Sequence, residues 1–262
     1  MTHRPRKRFG QNFLTDHSVI SNILAVIQIK PGQHWVEIGP GHGALTAPLL
    51  QNPIRLDVIE LDRDLAALLQ RRFGDANNLT IHNADALNFD FAGLADHDDR
   101  LRIIGNLPYN ISTPLLFHLM NNATCIADMH FMLQKEVVDR MCAVPGSKKY
   151  GRLSVMLQYY CAAEYLFDVL PESFDPVPKV TSAVVRLTPY RQPPVQVNDT
   201  VILNKIVVQA FSQRRKTLRN SLKKLMSEEQ IASLNIDPGL RAESLSLADF
   251  ARLSNRLGDI QV

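Results

Sequence analysis

The chain has 262 residues, 45% hydrophobic and 21% charged, with a formal net charge of +3. That length bounds one large domain, or one domain and a small companion. Without an apolar run of about 18 residues a membrane-spanning helix is not expected. The three cysteines (Cys125, Cys142, Cys161) are scattered and lack metal-ligand spacing, and the eight histidines are dispersed without an HExxH. No metal is therefore expected, and a reducing, cytoplasmic setting fits. The basic N-terminus is not followed by the apolar stretch of a signal peptide, in keeping with that location. Cations are unevenly placed. His3-Arg4-Pro5-Arg6-Lys7-Arg8 opens the chain, and Lys205 to Lys224 holds seven basic residues and no acid. Such local concentration matters more than net charge for binding a polyanion.

Taken in chain order, short apolar, β-branched runs alternate with helical patterns. Trp35 to Ile38 reads as a strand, and Ala44 to Leu50 begins a helix. Leu56 to Glu60 is a second strand, Leu65 to Arg72 a second helix, and Leu79 to Ile81 a third strand. Leu101 to Ile104, Met129 to Leu133 and Ser182 to Leu187 add further strands, with a helix near Arg152 to Cys161. Strands spaced by helices predict an α/β fold: a mostly parallel, Rossmann-like sheet with helices on both faces. The Pro-rich stretch Pro189 to Pro194 reads as a linker, and the pattern beyond it is helical. Leu240 to Gly258 predicts two short helices, with Ser246 as an N-cap. The expected organisation is a cofactor-binding domain over 1–189 with a basic arm, a linker over 190–197, and a small all-helical domain over 198–262.

Ligands in such sheets bind beyond the carboxyl ends of the strands, and Gly39, Glu60, Asp85 and Asn106 fall at those ends. The stretch "VEIGPGHGALT" sets Gly39, Gly41 and Gly43 directly after the first strand. The spacing is G-x-G-x-G, not the G-x-G-x-x-G of dinucleotide sites. Glu60, 21 residues after Gly39, is placed to accept hydrogen bonds from both hydroxyls of a ribose; the alternative is a solvated strand-end acid. Asp85 in "NADAL" reads as an acceptor for an adenine amine or as a turn aspartate. Glu37 reads as an acid favouring a cationic, amine-bearing ligand, or as a structural strand residue. Nucleoside-binding groups without a phosphate fingerprint point to S-adenosylmethionine rather than a nicotinamide cofactor.

"GNLPYNIS", Gly105 to Ser112, ends the Leu101 to Ile104 strand in residues that a core does not favour. A turn explains Asn and Pro, but a joint chemical reading exists. The lone pair of an adenine N6 amine is delocalised into the ring, so the amine is a poor nucleophile. Acceptors for its protons hold the nitrogen near an electrophilic methyl and favour the geometry of the transition state. Asn106 offers a side-chain oxygen, the backbone near Leu107 or Pro108 a carbonyl, and Tyr109 a ring for stacking. Pro108 stiffens the turn. Thr113 and Pro114 read as N-cap and first residue of the following helix.

"RKRFGQNFL", "VEIGPGHGALT", "VIELDRDL", "NADAL", "GNLPYNISTPLLFHL", "MLQKEVVDR", "YGRLSVMLQYY", "FDPVPKVTSAVVRL" and "FSQRRKTLRNSL" follow one another in this order. With this series the chain resembles the ribosomal RNA adenine N6,N6-dimethyltransferases over nearly its whole length. Within them it is most similar to the bacterial small-subunit type known from kasugamycin resistance. The resemblance implies a class I methyltransferase sheet. It also implies cofactor contacts at Asn12, Leu14, Gly39, Gly41, Glu60, Leu61, Asp85, Ala86 and Asn106, and methyl transfer at Asn106, Leu107, Pro108 and Tyr109. The implied substrate is two adjacent adenosines near the 3′ end of 16S rRNA in the small ribosomal subunit, met by a monomeric enzyme. Phe174 in "FDPVPK" reads either as a second stacking surface opposite Tyr109 or as a buried anchor for a Pro-rich loop.

For RNA contact, a helix through Val207 to Leu225 puts Val207, Phe211, Leu218, Leu222 and Leu225 on one face. Arg215, Arg219 and Lys223 then fall on a flank with Lys216 beside them. Arg214 points towards the apolar face, so it snorkels or the helix breaks near it. With Arg6, Lys7 and Arg8 these residues form the expected RNA-binding set; the alternative is a solvated basic face. Base chemistry requires the target in a loop or flipped out. Two other functions compete: a non-catalytic small-subunit assembly factor, for which the Asn106 constellation has no use, and an erythromycin-resistance-type enzyme of large-subunit rRNA. A dehydrogenase is disfavoured by the glycine spacing.

Overall fold

The computed structural model describes residues 11–95, 100–108 and 111–261. The chain begins with β1 (Phe13–Leu14), α1 (His17–Ile27), β2 (His34–Ile38) and α2 (Thr46–Leu49). There follow β3 (Arg55–Glu60), α3 (Arg63–Phe73), β4 (Leu79–Asn83), β5 (Leu101–Asn106), α4 (Ser112–Asn121), β6 (Ile126–Gln134) and α5 (Lys135–Met141). The remainder is α6 (Arg152–Tyr160), β7 (Cys161–Val169), β8 (Phe174–Asp175), β9 (Ser182–Pro189), α7 (Thr200–Phe211), α8 (Leu218–Ser221), α9 (Glu228–Ala232) and α10 (Leu247–Gln261). Two compact units divide it: Met1–Val138 with Glu164–Pro189, and Asp139–Ala163 with Tyr190–Val262. This differs from the expected single cut at 189. Residues 139–163, read from sequence as part of the sheet domain, group with the C-terminal helices because their bonds run there. The Gly146 amide donates to the Glu243 carbonyl, and Arg152 reaches Asn204 on α7.

Seven strands form one sheet in the order β4-β3-β2-β5-β6-β9-β7, and β1 pairs with β8 in a separate two-stranded sheet. The pairs β2/β3, β3/β4, β2/β5 and β5/β6 are parallel, and β6/β9 is antiparallel. The order reverses between β2 and β5, and a crevice opens at such a point beyond the carboxyl ends of the strands. The strands are apolar on both faces because helices cover both. Trp35, Leu56, Val58, Ile104 and Met132 pack on one face against Ile20, Ile23 and Ile27 of α1. Each of these isoleucines contributes about 1.5–3 kcal/mol by burial.

The helix α1, which periodicity left unread, is fixed at both ends. Asp16 caps its start by accepting from the Ser18 and Val19 amides. Its last carbonyls, at Ile27 and Gln28, accept from the guanidinium of Arg102, which stacks on Trp35 at 4.3 Å and pairs with Asp128 at 2.7 Å. Arg186 donates to Val26 in the same turn. Helix C-termini favour such cations.

Two helix expectations are corrected locally. Only Thr46–Leu49 is helical after the glycine loop, since the glycines at 39, 41 and 43 all take positive φ and the chain turns until Leu45. The helix after Asn-Leu-Pro-Tyr starts at Ser112 behind an Ile111 N-cap, not at Pro114 behind a Thr113 N-cap. Pro114 needs no amide partner, so the helix can begin ahead of it; the Leu115 amide already bonds to the Ile111 carbonyl at 3.0 Å.

The second unit is helical. The expected continuous helix through Val207 to Leu225 is broken: α7 ends at Phe211, a turn carries residues 212–216, and α8 restarts at Leu218. Three successive cations, Arg214 to Lys216, repel one another, and Arg214 turns to donate to the carbonyls of Lys148 and Tyr150. Val207, Leu218 and Leu222 are buried nonetheless. Near the C-terminus only α10 is a full helix. Ser246 caps it, with its hydroxyl accepting from the Asp249 amide and Asp249 accepting from the Ser246 amide.

Candidate active site

A cleft with an interior volume of about 140 Å³ opens at the carboxyl ends of β2, β3 and β5. Every described residue expected to contact the cofactor lines it: Asn12, Leu14, Gly39, Gly41, Glu60, Leu61, Asp85, Ala86 and Asn106. Leu107 and Pro108 line it as well, joined by Gln11, Phe13, Glu37, His42 and Ile111.

The glycine loop forms one wall. Gly39 has φ +67°, and its amide bonds to the Ile59 carbonyl of β3 at 2.9 Å. Gly41 has φ +58°, and a Cβ there would lie 2.9 Å from the Phe13 ring. Glycine is thus required at Gly41 twice, by backbone conformation and by the close approach of the arm.

Glu60 is not a solvated strand end. It is 6% exposed, one oxygen accepting from the Asp62 amide at 2.8 Å and the other from the Gly41 amide at 3.2 Å. Burial raises its pKa above the ordinary carboxylate value, against the two amides that lower it. Glu37 is 2% exposed, and its Oε2 accepts from the Thr46 hydroxyl at 2.6 Å. Its pKa is pushed up to about 7, chiefly by burial, with the charge of Glu60 adding and the Thr46 bond opposing. Asp85 forms a turn, accepting from the Leu87 amide at 3.0 Å and from Asn88 Nδ2 at 3.1 Å. Its turn role and its place on the cleft wall coincide. Two buried acids and Asp85, with no Lys or Arg among the described lining residues, make this a site for a cationic or polyhydroxylated ligand.

The arm that composition marked only as basic supplies the other wall. The Asn106 Nδ2 donates to the Asn12 carbonyl at 2.9 Å. That bond assigns the donor end of the amide to the arm, so Oδ1 is the end that can accept an N–H from a ligand. Gln11 reaches Asp62 at 3.4 Å, and the Phe13 ring lies 4.1 Å from that of His42. Gln11, Phe13 and His42 were not singled out from sequence. The available signal was an apolar pair, Phe13-Leu14, placed just before the capping Asp16. At the turn after β5, the Leu107 amide bonds to Met132, and the Pro108 carbonyl accepts from the Ile111 amide at 3.2 Å.

Phe174 lies apart from the cleft lining. It is 2% exposed, in β8, paired in register with Leu14. Its ring belongs to the core beside Leu14 and Trp35, which is the anchor reading, and it offers no open face to a base here. Tyr109, Arg6, Lys7 and Arg8 lie outside the described residues.

In the second unit Arg215, Lys216, Arg219 and Lys223 are exposed but do not share one helical flank, because the helix is broken. Arg219 pairs with Glu228 at 3.3 Å. Among the described residues no group of His, Cys, Asp or Glu is arranged to hold a metal, and no helix is long and apolar enough to cross a membrane.

Comparison with known proteins fits this geometry. The family model described as "Ribosomal RNA adenine dimethylase" matches residues 2–259. A Pseudomonas aeruginosa protein named ribosomal RNA small subunit methyltransferase A is 56% identical over 258 residues, covering 98% of this chain and 96% of its own. The Methylococcus capsulatus protein of the same name is 57% identical, covering 98% and 99%. Among solved structures, a dimethyladenosine transferase from Plasmodium falciparum superposes with a TM-score of 0.76 at 24% identity, over 94% of this chain and 98% of that one. The 23S rRNA methyltransferase ErmE does so with 0.72 at 24% identity, over 94% and 100%. These two likenesses show the fold, a class I methyltransferase sheet with a helical C-terminal part. With the family model matched from end to end and more than half of all positions shared with full-length relatives, the chain belongs to the ribosomal RNA adenine dimethylase family.

Proposed function

We propose that this family member uses S-adenosylmethionine to dimethylate N6 of two adjacent adenosines near the 3′ end of 16S rRNA. It would act as a cytoplasmic monomer on the small ribosomal subunit or its precursor. The observation that carries this reading is the Asn106 amide, held by Asn12 beside the Glu60 end of the same cleft. The residues fit the cofactor: Glu60 for the ribose hydroxyls, Asp85 and Ala86 for the adenine, and buried Glu37 for the positive charge on sulfur. When bound, the cofactor supplies an electrophilic methyl on sulfur.

The protein's own part is positioning. Asn106 Oδ1 accepts one N6 proton of the target adenine and the Leu107 carbonyl the other. The Pro108 carbonyl already takes the Ile111 amide, which favours Leu107 for that role. Two acceptors aimed at one nitrogen draw it towards tetrahedral geometry and orient its lone pair at the methyl. No general base is required, because the proton leaves after transfer. Tyr109 provides the stacking face. The exposed cations Arg215, Lys216 and Lys223, with the basic arm, hold RNA phosphates.

The name shared by the relatives at 56–57% identity favours small-subunit over large-subunit rRNA, and the intact Asn106-Leu107-Pro108 turn favours transfer over a purely structural assembly role. The test is incubation with labelled cofactor and undermethylated small subunits, followed by mapping of the label. Two adjacent dimethyladenosines near the 3′ end are expected. Label in large-subunit RNA, or none, overturns the reading.

A further inference from the structure

The positioning chemistry leaves one buried acid of the cleft without a part in transfer. Side chains alternate faces along a strand, and register pairs Glu37 with Val58 of β3 and Ile104 of β5. The next residues on that face towards the carboxyl ends are Glu60 and Asn106. Glu37 therefore sits at the floor of the cleft, between the acid assigned to the ribose and the amide assigned to the acceptor nitrogen. That is where the reacting sulfur must lie.

Other ionisable groups border this position. Glu60 comes from β3, Asp62 from the cap of α3, His42 from the glycine loop and Asp85 from the turn after β4. On β5, Arg102 lies two residues upstream on the same face, already paired with Asp128 and stacked on Trp35. From α2, Thr46 gives only a hydroxyl.

Resting on the S-adenosylmethionine reading of the cleft, we infer that Glu37 is a charge sensor for the cofactor. In the empty site it is shared between its protonated and ionised forms at neutral pH; the protonated fraction releases its proton to solvent when the sulfonium is seated, and takes one back once the sulfur has become a neutral thioether. The site thereby holds the methyl donor in preference to the spent product. Protons and charge balance: one proton leaves Glu37 as one positive charge arrives, and one returns from solvent after the methyl, with that charge, has gone to the amine and the amine has lost its own proton. Burial and the neighbouring Glu60 place Glu37's pKa at about 7, so both protonation states are within reach at neutral pH. A sulfonium nearby favours the ionised form, and a thioether does not.

The experiment is calorimetric titration of the full chain with S-adenosylmethionine and with S-adenosylhomocysteine. Buffers of different ionisation enthalpy, across about pH 6 to 8, report the protons exchanged. Near pH 7 the methyl donor should release about half a proton more than the homocysteine compound, and its Kd relative to that compound should fall about tenfold across the range. Glu37→Gln keeps an acceptor for Thr46 and should abolish both differences. The pH series on the unaltered protein needs no variant. A relative Kd flat with pH overturns the inference while leaving the cofactor reading intact. Persistence of the pH dependence in Glu37→Gln also overturns it. Failure of either compound to bind overturns the inference and the cofactor reading together.

Discussion

Asn106→Asp separates two accounts of the site. Aspartate keeps the shape of asparagine and offers two oxygens to an N–H, so if acceptance were the whole role the variant would be active. The arm predicts otherwise. Asn106 Nδ2 donates to the Asn12 carbonyl at 2.9 Å, and in the variant a carboxylate oxygen faces that carbonyl. Losing the bond with the acceptor left unsatisfied costs about 1–3 kcal/mol. That corresponds to a rate lower by about 5- to 150-fold if the closed arm is needed for transfer. Only a protonated carboxyl can donate to Asn12, and an aspartate of ordinary pKa, about 3.9, stays ionised across the assay range, so the deficit should persist throughout it. The assay is single-turnover methylation of undermethylated small subunits at saturating cofactor, from about pH 6 to 8, for wild type, Asn106→Asp and Asn106→Ala. Saturation keeps changes in cofactor affinity out of the measurement. The alanine variant should be slower than wild type by a pH-independent factor, since it neither accepts nor donates. An aspartate variant with the wild-type rate near pH 8 would refute the argument, because the donor end of the amide would then be idle.

Four further outcomes are expected. Glu60→Ala should raise the Kd for S-adenosylmethionine by roughly ten- to a hundred-fold, because hydrogen bonds to a charged group are worth about 1.5–3 kcal/mol; an unchanged value by calorimetry would leave Glu60 serving only the Gly41 and Asp62 amides. Replacing Arg215, Lys216 and Lys223 together by Ala should flatten the salt dependence of RNA binding by about 0.7–0.9 in slope for each phosphate no longer neutralised. Arg214→Ala should leave that slope nearly intact and instead lower Tm, by about 2–4 °C for each kcal/mol of stability removed, since its guanidinium is engaged by the Lys148 and Tyr150 carbonyls. Finally, Asp57 is 1% exposed and accepts from His34 at 2.7 Å and His82 at 2.6 Å. Burial raises its pKa, but these bonds outweigh burial and leave it lowered. A carboxyl with a depressed folded-state pKa adds stability that is complete above its unfolded value, about 3.9, and is lost as pH falls through the folded one. The drop in Tm below about pH 4 should therefore be shallower in Asp57→Asn; identical acid profiles would remove Asp57 from the account.

The parallel sheet was legible because its strands are apolar on both faces and end in residues that a core does not favour: Gly39, Glu60, Asp85 and Asn106 all fall at carboxyl ends and all line the cleft. The arm was not legible from composition. Its strand is two residues long, too short for any period, and its partner β8 lies 160 residues away by register; only the resemblance pointed to Asn12 and Leu14. Helix α1 was missed because its ends are fixed by tertiary partners, Arg102 and Arg186, rather than by its own sequence at the C-terminus. The break after Phe211 was half visible. Arg214 pointed the wrong way on a helical projection, but the carbonyls that receive it belong to a segment more than 60 residues earlier. Periodicity reports a face, not a partner. The same limit hides His42 and Phe13, whose ring contact depends on two loops meeting.

What the arm does for the site follows from its brevity. Within six residues, Gln11 reaches Asp62, Asn12 holds Asn106, Phe13 covers Gly41, Leu14 pairs with Phe174, and Thr15 and Asp16 bond to the Ser173 carbonyl. These partners span the cap of α3, the turn after β5, the glycine loop and the Pro-rich loop. Six consecutive residues carry all of these contacts, so they are coupled through one short stretch of backbone. Phe174 is buried for this reason: its strand partner is the residue that also lines the cleft. The glycine-loop wall and the turn after β5 are therefore not two separate features of the cleft. They share one strand, and the geometry of the Asn106 amide is set from the same segment that closes over the glycine loop.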